Sequence, residues 1–162
     1  MACEIERKFL VNDDSWRSDV TSCCHILQGY APVSGELSTV RVRIIDDRSA
    51  MLTLKGRQKD CARSEYEYPI PVEDAKNMIE EFCTGRIVEK IRHIIPCGDL
   101  KFEIDEFLGD NDGLIVAEIE LPSLDCRFTR PAWLGEEVSL DRRYGNGSLS
   151  RTPYKTWGKN EF

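Results

Sequence analysis

Like charges separated by a single residue recur throughout the sequence. Glu-x-Glu stands at positions 4/6, 65/67 and 118/120, Glu-x-Asp at 103/105, and two basic residues at 41/43 and 90/92. Residues i and i+2 of a β-strand lie on the same face, so each pair places like charges side by side, which destabilises an ordinary sheet surface. The chain therefore needs a fold in which opposite charges or a bound ion compensate this repulsion.

The charged pairs lie in segments that alternate between apolar and polar residues, and this period of two predicts β-strands. Eight strands are predicted, at about 4–11, 24–30, 38–45, 50–56, 64–71, 86–94, 100–107 and 114–121. One clear helix is predicted over 73–83, where an apolar stripe follows Pro71 and ends at Gly85. Shorter helices are predicted at 13–19, 131–137 and 146–157. Strands therefore dominate the expected fold.

Each predicted strand has one polar and one apolar face. The polar row consists of Glu4, Glu6, Lys8, Arg41, Arg43, Lys55, Glu65, Glu67, Lys90, Arg92, Glu103, Asp105, Glu118 and Glu120, with Gln28 and Tyr30 on the second strand. The apolar row consists of Ile5, Phe9, Val40, Val42, Ile44, Leu52, Leu54, Tyr66, Tyr68, Ile91, Phe102, Ile104, Ile115, Ala117, Ile119 and Leu121. The apolar row is the predicted core. The polar row faces either water, as on a half-buried sheet, or an enclosed interior.

Eight antiparallel strands can close into a barrel, which removes the exposed edges of an open sheet. With the charged row inside, such a barrel is a wet tunnel lined by both signs of charge, and helices cover its apolar outside. We therefore predict a β-dominated α+β fold, an eight-stranded antiparallel closed β-barrel with a few flanking helices. No linker or repeat divides the chain, so residues 1–162 are expected to form one domain.

The charges of the polar row point to a metal and a phosphate ligand. Clustered carboxylates suit a hard cation such as Mg²⁺ or Mn²⁺, and Arg and Lys suit phosphate oxygens. The row holds eight acids and six bases, a net charge of −2, which two divalent cations would change to +2. Metal and an anionic substrate are thus expected to bind together. The whole chain has a net charge of −7, which argues against nucleic acid as a partner.

The remaining features argue against several other classes of protein. Charged residues near the N-terminus leave no apolar stretch for an export signal, and no apolar run is long enough to cross a membrane, so a cytoplasmic location is expected. The seven cysteines are scattered and never spaced as CxxC, which predicts reduced thiols rather than a zinc site or a disulfide framework. His25 and His93 are solitary, so we expect them to pack or to lie on the surface rather than to bind metal.

A series of short motifs resembles one known family along almost the whole chain. The series opens with the ExExK motif Glu4-Ile5-Glu6-Arg7-Lys8-Phe9-Leu10 and ends with Trp133-Leu134-Gly135-Glu136-Glu137-Val138. Between them, in the expected order, lie Gln28-Gly29-Tyr30, Val40-Arg41-Val42-Arg43, Leu52-Thr53-Leu54-Lys55, Arg63-Ser64-Glu65-Tyr66-Glu67-Tyr68, Glu89-Lys90-Ile91-Arg92, Phe102-Glu103-Ile104-Asp105-Glu106-Phe107 and Ala117-Glu118-Ile119-Glu120-Leu121. The pattern resembles the CYTH superfamily, also called the triphosphate tunnel metalloenzymes, in its compact bacterial form. This resemblance implies an eight-stranded antiparallel tunnel, in agreement with the barrel prediction.

The resemblance also implies roles for individual residues. Those implied to bind metal, expected as two Mg²⁺ or Mn²⁺ ions, are Glu4, Glu6, Glu118 and Glu120. Those implied to bind triphosphate are Lys8, Arg41, Arg43, Lys55, Lys90 and Arg92. Tyr30 and Lys90 are implied to activate the attacking water, because nearby arginines lower the pKa of the lysine and a neutral amine or a phenolate can accept a proton. Deprotonation of the water on a metal ion is the alternative.

Five charged residues each have two possible roles. Glu65, Glu67, Glu103 and Asp105 either orient the arginines by ion pairing or act directly on metal or water. Arg143 either reaches the mouth of the tunnel or is a solvated charge.

The expected activity is divalent-metal-dependent hydrolysis of a linear triphosphate. Inorganic tripolyphosphate is the first candidate substrate because no group of residues suited to recognise a nucleobase or a ribose is evident. Thiamine triphosphatase, nucleoside or RNA triphosphatase and, last, adenylate cyclase are the alternatives on the same fold. A non-catalytic polyphosphate- or nucleotide-binding module is the alternative of another class, although carboxylates would repel its ligand. The chain is expected to be a monomer or a homodimer.

Overall fold

The computed structural model describes residues 5–35, 37–57 and 63–158. Within these ranges the chain forms nine β-strands and two α-helices. The strands are β1 (Ile5–Val11), β2 (Ser22–Tyr30), β3 (Leu37–Ile45), β4 (Ser49–Gly56), β5 (Glu65–Ile70), β6 (Ile87–Cys97), β7 (Leu100–Phe107), β8 (Ile115–Leu121) and β9 (Leu134–Glu137). The helices are α1 (Val72–Phe82) and α2 (Asn146–Arg151). Neither described helix has the length and apolar character needed to cross a membrane.

All nine strands form one antiparallel sheet in the order β5-β4-β3-β2-β6-β7-β8-β1-β9. The eight predicted strands correspond to β1–β8, so the prediction of a β-dominated antiparallel fold is confirmed. The sheet differs from a closed barrel because its outermost strands, β5 and β9, are not hydrogen-bonded to each other in the described part of the chain. Strand β9 has only four residues, and β5 carries Glu65 and Glu67. Short and charged edge strands resist unwanted pairing with other chains.

The sheet separates the two predicted rows of side chains. Arg92 on β6 lies directly opposite Asp105 on β7, and such partners share a face of the sheet. We call the side that carries the polar row the charged face. On the other side, Phe9, Ile104 and Ile119 are buried, as predicted for the core.

Strand β5 is an exception to the predicted core. Tyr66 and Tyr68 are 56% and 53% exposed, although the alternation placed both in the apolar row. They lie at the edge of the sheet, beyond the strands that α1 covers. Alternation therefore predicts their face correctly but not their burial.

The predicted helix at 73–83 is confirmed as α1. It packs on β2, β3 and β4 on the side of the sheet opposite the charged face, which we call the outer face. Ile79 and Cys83 contact the cluster that contains Val42 and Ile44. Helix and sheet approach closely at Gly29, where an added Cβ atom would lie 2.6 Å from Cβ and 2.9 Å from Sγ of Cys83. The packing of α1 on β2 therefore requires glycine at this position.

The predicted helix at 13–19 is a 3-10 turn over Ser15–Asp19. Its Trp16 is fully buried and packs edge-on against His93, with ring centroids 4.9 Å apart. His93 therefore packs against the core, as expected.

The helix predicted at 131–137 is wrong, because Leu134–Glu137 forms strand β9, which pairs with β1. Leu134 is buried in the core by this pairing. A Cβ atom at Gly135 would lie 2.9 Å from the carbonyl oxygen of Leu10, so glycine permits the close approach. Contact with β1, which is distant in sequence, outweighs the local helix signal.

The helix predicted at 146–157 is divided into α2 and a 3-10 turn over Tyr154–Thr156. Helix α2 packs on β2 and β6. Its Leu149 is fully buried in a cluster with Val88 and Phe107. Phe107 lies opposite Lys90, so α2 covers part of the charged face.

The described cysteines agree with the prediction of reduced thiols. Those with free thiols are Cys23, Cys24, Cys83, Cys97 and Cys126. Cys3 and Cys61 lie outside the described residues.

Candidate active site

The charged face unites the predicted site residues of eight strands. Most bases lie on β3, β4 and β6, most acids lie on β5, β7 and β8, and β1 carries one of each. The predicted residues on this face are Glu6, Lys8, Tyr30, Arg41, Arg43, Lys55, Glu65, Glu67, Lys90, Arg92, Glu103, Asp105, Glu118 and Glu120. Glu4 lies outside the described residues. The polar row thus forms a continuous surface across neighbouring strands.

At the centre of this face is a buried cation cluster, formed by Lys90 and Arg92 on β6 and Asp105 on β7. Nζ of Lys90 donates to Oδ2 of Asp105 at 2.6 Å. Nε and Nη2 of Arg92 donate to the two oxygens of the same carboxylate at 2.8 and 2.9 Å. The side chains of Lys90 and Asp105 are both 0% exposed. One carboxylate therefore orients two cations and leaves the cluster with a net positive charge.

Burial and charge together set the protonation of the cluster. Burial lowers the pKa of Lys90 to about 8, with Asp105 opposing the change and Arg92 assisting it. Arginine crowding, the predicted cause, is therefore secondary to burial. Burial also opposes ionisation of Asp105, but Lys90 and Arg92 outweigh it and hold the pKa of this carboxyl far below its usual range. Asp105 is thus ionised, whereas Lys90 can exchange its proton close to neutral pH.

Two amide side chains, Gln28 and Asn146, connect Lys90 to Tyr30, and we call them the amide bridge. Nζ of Lys90 donates to Oδ1 of Asn146 at 2.8 Å. Nε2 of Gln28 donates to the same oxygen at 3.3 Å and to the hydroxyl oxygen of Tyr30 at 2.8 Å. Among the described side chains, Tyr30 and Lys90 are thus joined through two amides rather than by a direct hydrogen bond.

The phenol of Tyr30 is held in its protonated form. Burial raises its pKa, although Arg41 and Arg43 act in the opposite direction. The phenolate considered from the sequence is therefore disfavoured near neutral pH.

Arg43 connects the amide bridge to the basic strand β3. Its Nε donates to Oε1 of Gln28 at 2.8 Å. Burial lowers the pKa of Arg43 to about 10, and Arg41 and Arg92 add to the shift. Three guanidinium groups thus act on one another across the charged face.

The bases at the β4–β5 side are oriented by side chains of the neighbouring strands. Nη2 of Arg41 donates to Oγ1 of Thr53 at 3.3 Å and to Oε1 of Glu67 at 3.4 Å. Thr53, which is fully buried, donates to the same carboxylate oxygen at 3.0 Å. Nζ of Lys55 lies 3.6 Å from Oε2 of Glu65. This part of the face therefore pairs each base with an acid of β5.

A carboxylate wall lies on β1 and β8 and consists of Glu6, Lys8, Glu118 and Glu120. In the strand pairing, Lys8 is opposite Glu118 and Glu6 is opposite Glu120. Nζ of Lys8 lies 3.1 Å from Oε1 of Glu118 and 3.2 Å from Oε1 of Glu6. Burial lowers the pKa of Lys8, but these two carboxylates together outweigh it, and the pKa is raised. An ammonium group thus lies between two of the predicted metal ligands.

The chemistry of the carboxylate wall fits a hard divalent cation. Its acids offer only oxygen donors, which Mg²⁺ and Mn²⁺ prefer, and the position of Lys8 shows that the wall already attracts a cation. In residues 5–35, 37–57 and 63–158, no three acidic, His or Cys side chains are grouped closely enough to hold a metal. The predicted set is completed by Glu4, which lies outside these ranges. To bind a metal, Glu6 and Glu118 would have to exchange the ammonium of Lys8 for it.

The four acids with two possible roles all pair with bases. Besides the pairs of Asp105, Glu67 and Glu65 described above, Oε2 of Glu103 lies 2.6 Å from Nη1 of Arg92. Ion pairs of this kind restrict the rotation of long basic side chains and fix where their donors point. These contacts favour the interpretation in which the acids orient the bases.

Arg143 lies with the C-terminal segment. Its Nη2 donates to Oδ2 of Asp141 at 2.7 Å, and its guanidinium carbon lies 4.8 Å from the centre of the Trp157 ring. The side chain is 63% exposed. These contacts favour a solvated charge over a residue of the tunnel mouth.

Three polar side chains of the site were not predicted as site residues. Gln28 and Thr53 are fully buried at polar-row positions of β2 and β4, and an uncharged polar residue in an otherwise charged row is the signal that identifies them. Asn146 reaches the site from α2 and is far from its partners in sequence. No local pattern identifies it.

The sequence is similar to those of known proteins. The CYTH domain family model matches residues 2–153. An inorganic triphosphatase of Acetivibrio thermocellus is 41% identical over 157 residues, which cover 97% of this chain and 99% of the relative. An inorganic triphosphatase of Nitrosomonas europaea is 36% identical over 151 residues, which cover 91% of this chain and 96% of the relative.

A similar fold is found among solved structures. The crystal structure of the inorganic triphosphatase NE1496 is 35% identical and has a TM-score of 0.71, over 93% of this chain and 96% of that chain. Family model, relatives and fold therefore agree, and the chain belongs to the CYTH domain family.

Proposed function

We propose that this protein is a divalent-metal-dependent inorganic triphosphatase, which hydrolyses tripolyphosphate to pyrophosphate and phosphate. The observation that carries the proposal is the charged face, on which a buried cation cluster suited to phosphate accompanies a carboxylate wall suited to metal. Two relatives of the chain are named inorganic triphosphatase, which supports the hydrolysis of a triphosphate. A pure anion-binding module gains nothing from carboxylates that repel its ligand.

Catalysis by this site relies on positioning and on neutralisation of charge, as is general for phosphoryl transfer. The bases proposed to bind phosphate oxygens are Lys8, Arg41, Arg43, Lys55, Lys90 and Arg92. The amide of Gln28 holds Arg43, and ion pairs with acids hold the others before substrate arrives. The substrate therefore meets donors that need little reorganisation.

The metal would be held by Glu4, Glu6, Glu118 and Glu120, as two Mg²⁺ or Mn²⁺ ions that change the charge of the polar row from −2 to +2. A divalent cation bound there supplies neutralisation of charge on the phosphoryl oxygens and lowers the pKa of a bound water. With metal bound there, Lys8 would leave Glu6 and Glu118 and would be available to a phosphate oxygen.

We assign proton transfer to Lys90 rather than to Tyr30. The nitrogen of Lys90 donates to Asp105 and Asn146, and no described side chain accepts its third hydrogen. In the neutral amine, which a pKa of about 8 makes accessible, two N–H groups can keep these partners while the lone pair is left to accept a proton. Because the side chain is 0% exposed, the attacking water must enter the site together with the substrate. Tyr30 accepts from Gln28 and stays protonated, so its hydroxyl hydrogen can be donated to the substrate.

Phosphate release tests this function. Tripolyphosphate, pyrophosphate, ATP and thiamine triphosphate are each supplied with Mg²⁺, Mn²⁺ or Ca²⁺, and with EDTA as a control. We expect the highest kcat/KM with tripolyphosphate and no release in EDTA. A preference for ATP or thiamine triphosphate would assign the alternative activity, and binding of tripolyphosphate without release from any substrate would establish a binding module.

A further inference from the structure

Helix α2 contributes one side chain to the interior of the site. Asn146 is the first residue of α2, and Leu149 follows it by three positions, so both lie on the same side of the helix. Leu149 is fully buried with Val88 and Phe107. The buried leucine therefore anchors the helix in an orientation that directs Asn146 toward Lys90.

The partners of the amide bridge fix the direction of its hydrogen bonds. The guanidinium of Arg43 can only donate, so Oε1 of Gln28 faces it and Nε2 of Gln28 faces Tyr30 and Asn146. The ammonium of Lys90 also has hydrogens to donate, so Oδ1 of Asn146 faces it. Oδ1 of Asn146 is consequently the acceptor that Lys90 and Gln28 share.

We propose that Asn146 is a positioning residue for the triphosphatase reaction, whose amide oxygen fixes the nitrogen of Lys90 and, through Gln28, the hydroxyl of Tyr30. The inference rests on the proposed function for its effect on turnover but not for its effect on Lys90. It makes α2 part of the active site rather than only a cover over it. The backbone of α2 also lies beside Tyr30, because an added Cβ atom at Gly147 would be 3.8 Å from Cε1 of Tyr30.

A neutral acceptor suits this place because of the charges around Lys90. Asp105 on β7, Glu118 on β8, Arg92 on β6 and Arg43 on β3 all act on its ammonium. The amide of Asn146 orients the ammonium without adding a second neutralising carboxylate to the one that Asp105 provides. A carboxylate at position 146 would hold the proton on Lys90 more firmly.

Two variants change the acceptor in opposite ways. Asn146→Ala removes it, and we expect the pKa of Lys90 to fall by about 0.5–1 unit, the equivalent of one lost hydrogen bond. Asn146→Asp adds a negative charge, and we expect the pKa to rise by about 1 unit or more. The ¹³Cε resonance of Lys90, assigned by its loss in Lys90→Arg, measures both shifts in the metal-free protein.

Activity provides the second measurement. For Asn146→Ala we expect kcat on tripolyphosphate with Mg²⁺ to fall about tenfold or more, with a smaller change in KM, because misplaced groups slow the chemical step more than binding. The pH profile of kcat should shift to lower pH in Asn146→Ala and to higher pH in Asn146→Asp. Arg151→Ala, an exposed change at the end of α2, is the matched control and should leave activity and pH profile unchanged.

The outcomes separate the inference from the proposed function. If the wild-type protein does not hydrolyse tripolyphosphate, the proposed function fails, while opposite shifts of the Lys90 resonance still support the contact with Asn146. If the wild type is active and both variants keep its pH profile and kcat, the positioning role is overturned. A fall in kcat with no shift of either the resonance or the profile would assign Asn146 a structural role only and would also overturn it.

Discussion

Lys8 and Lys90 lie on the same charged face, and each pairs with carboxylates, yet their environments differ. Lys90 is fully buried and shares its one carboxylate, Asp105, with Arg92. Lys8 has a partly exposed side chain between Glu118 and Glu6, of which Glu6 is 49% exposed. Burial lowers the pKa of Lys90 to about 8, whereas two carboxylates outweigh burial and raise the pKa of Lys8.

The difference shows how one sheet can hold a fixed and an exchangeable cation. In the buried cation cluster, any loss of a partner leaves charge without water to solvate it, so the arrangement is rigid. In the carboxylate wall, Glu6 is half-exposed, so water can solvate its carboxylate when another cation replaces the ammonium of Lys8. The first arrangement suits proton transfer and the second suits metal binding.

The largest expected effect comes from breaking the buried cation cluster. Asp105→Ala leaves Lys90 and Arg92 without their shared carboxylate, and we expect the free energy of unfolding to fall by about 3–5 kcal/mol. Urea denaturation at pH 7 measures it. Glu6→Gln, which removes a partner of Lys8, should cost less than about 1 kcal/mol, and equal losses in the two variants would refute the distinction between the two regions.

Glu118→Gln tests the carboxylate wall by its function. Loss of an oxygen proposed to bind metal should lower kcat/KM on tripolyphosphate by roughly 10²-fold, with a higher Mg²⁺ concentration needed for half-maximal rate. Steady-state phosphate release as a function of Mg²⁺ measures both changes. Glu73→Gln, at an exposed position of α1, is the charge-matched control and should behave as the wild type. An unchanged Mg²⁺ requirement in Glu118→Gln would remove Glu118 from the metal site.

Tyr30→Phe sharpens the assignment of proton transfer. Because burial keeps the phenol protonated, we expect only a donor to be lost and kcat to fall by about two- to tenfold, the equivalent of one hydrogen bond. Lys90→Met should lower kcat by about 10² or more, as expected for a lost general base. Full turnover in both variants would assign activation of the water to the metal alone, and a loss above about 10³-fold in Tyr30→Phe alone would make Tyr30 the proton acceptor.

The smallest effect is the response of anion binding to pH. Lys90 carries its charge below a pKa of about 8 and loses it above that value, so a non-hydrolysable triphosphate analogue should bind up to about tenfold more weakly at pH 9 than at pH 7. Lys90→Arg keeps its charge over this range and should flatten the response, measured by calorimetry. Lys8→Arg should leave the inflection in place because the pKa of Lys8 is raised. If the inflection disappeared in Lys8→Arg, the titration would belong to Lys8 and not to Lys90.

Much of the fold could be predicted because strand alternation is local. The rows of like charge identified eight strands and the face of each, and Lys90 and Arg92 lie where that alternation placed them. Strand β9 could not be predicted, because only pairing with β1 makes Leu134–Glu137 extended. The open edges at β5 and β9 were missed for the same reason, since the pairing of distant strands leaves no local pattern.

The site was predictable in its charges and less so in its neutral groups. Asp105 was recognised as a member of the polar row, but its shared pairing with Lys90 and Arg92 depends on the register of β6 and β7. The pKa of Lys90 was expected to be lowered by arginines, whereas burial, which a sequence does not display, is the main cause. Asn146 was missed because a short helix brings it to the site from outside the sheet.

Gly29 connects the packing of α1 on one side of β2 to the polar side chains on the other side. It lies between Gln28 and Tyr30, and its backbone meets Cys83 where α1 crosses the outer face. A bulkier residue at position 29 or 83 would push strand and helix apart and displace the two polar side chains on the opposite face. Substitutions selected for altered turnover can therefore arise behind the sheet, at residues that never meet the substrate.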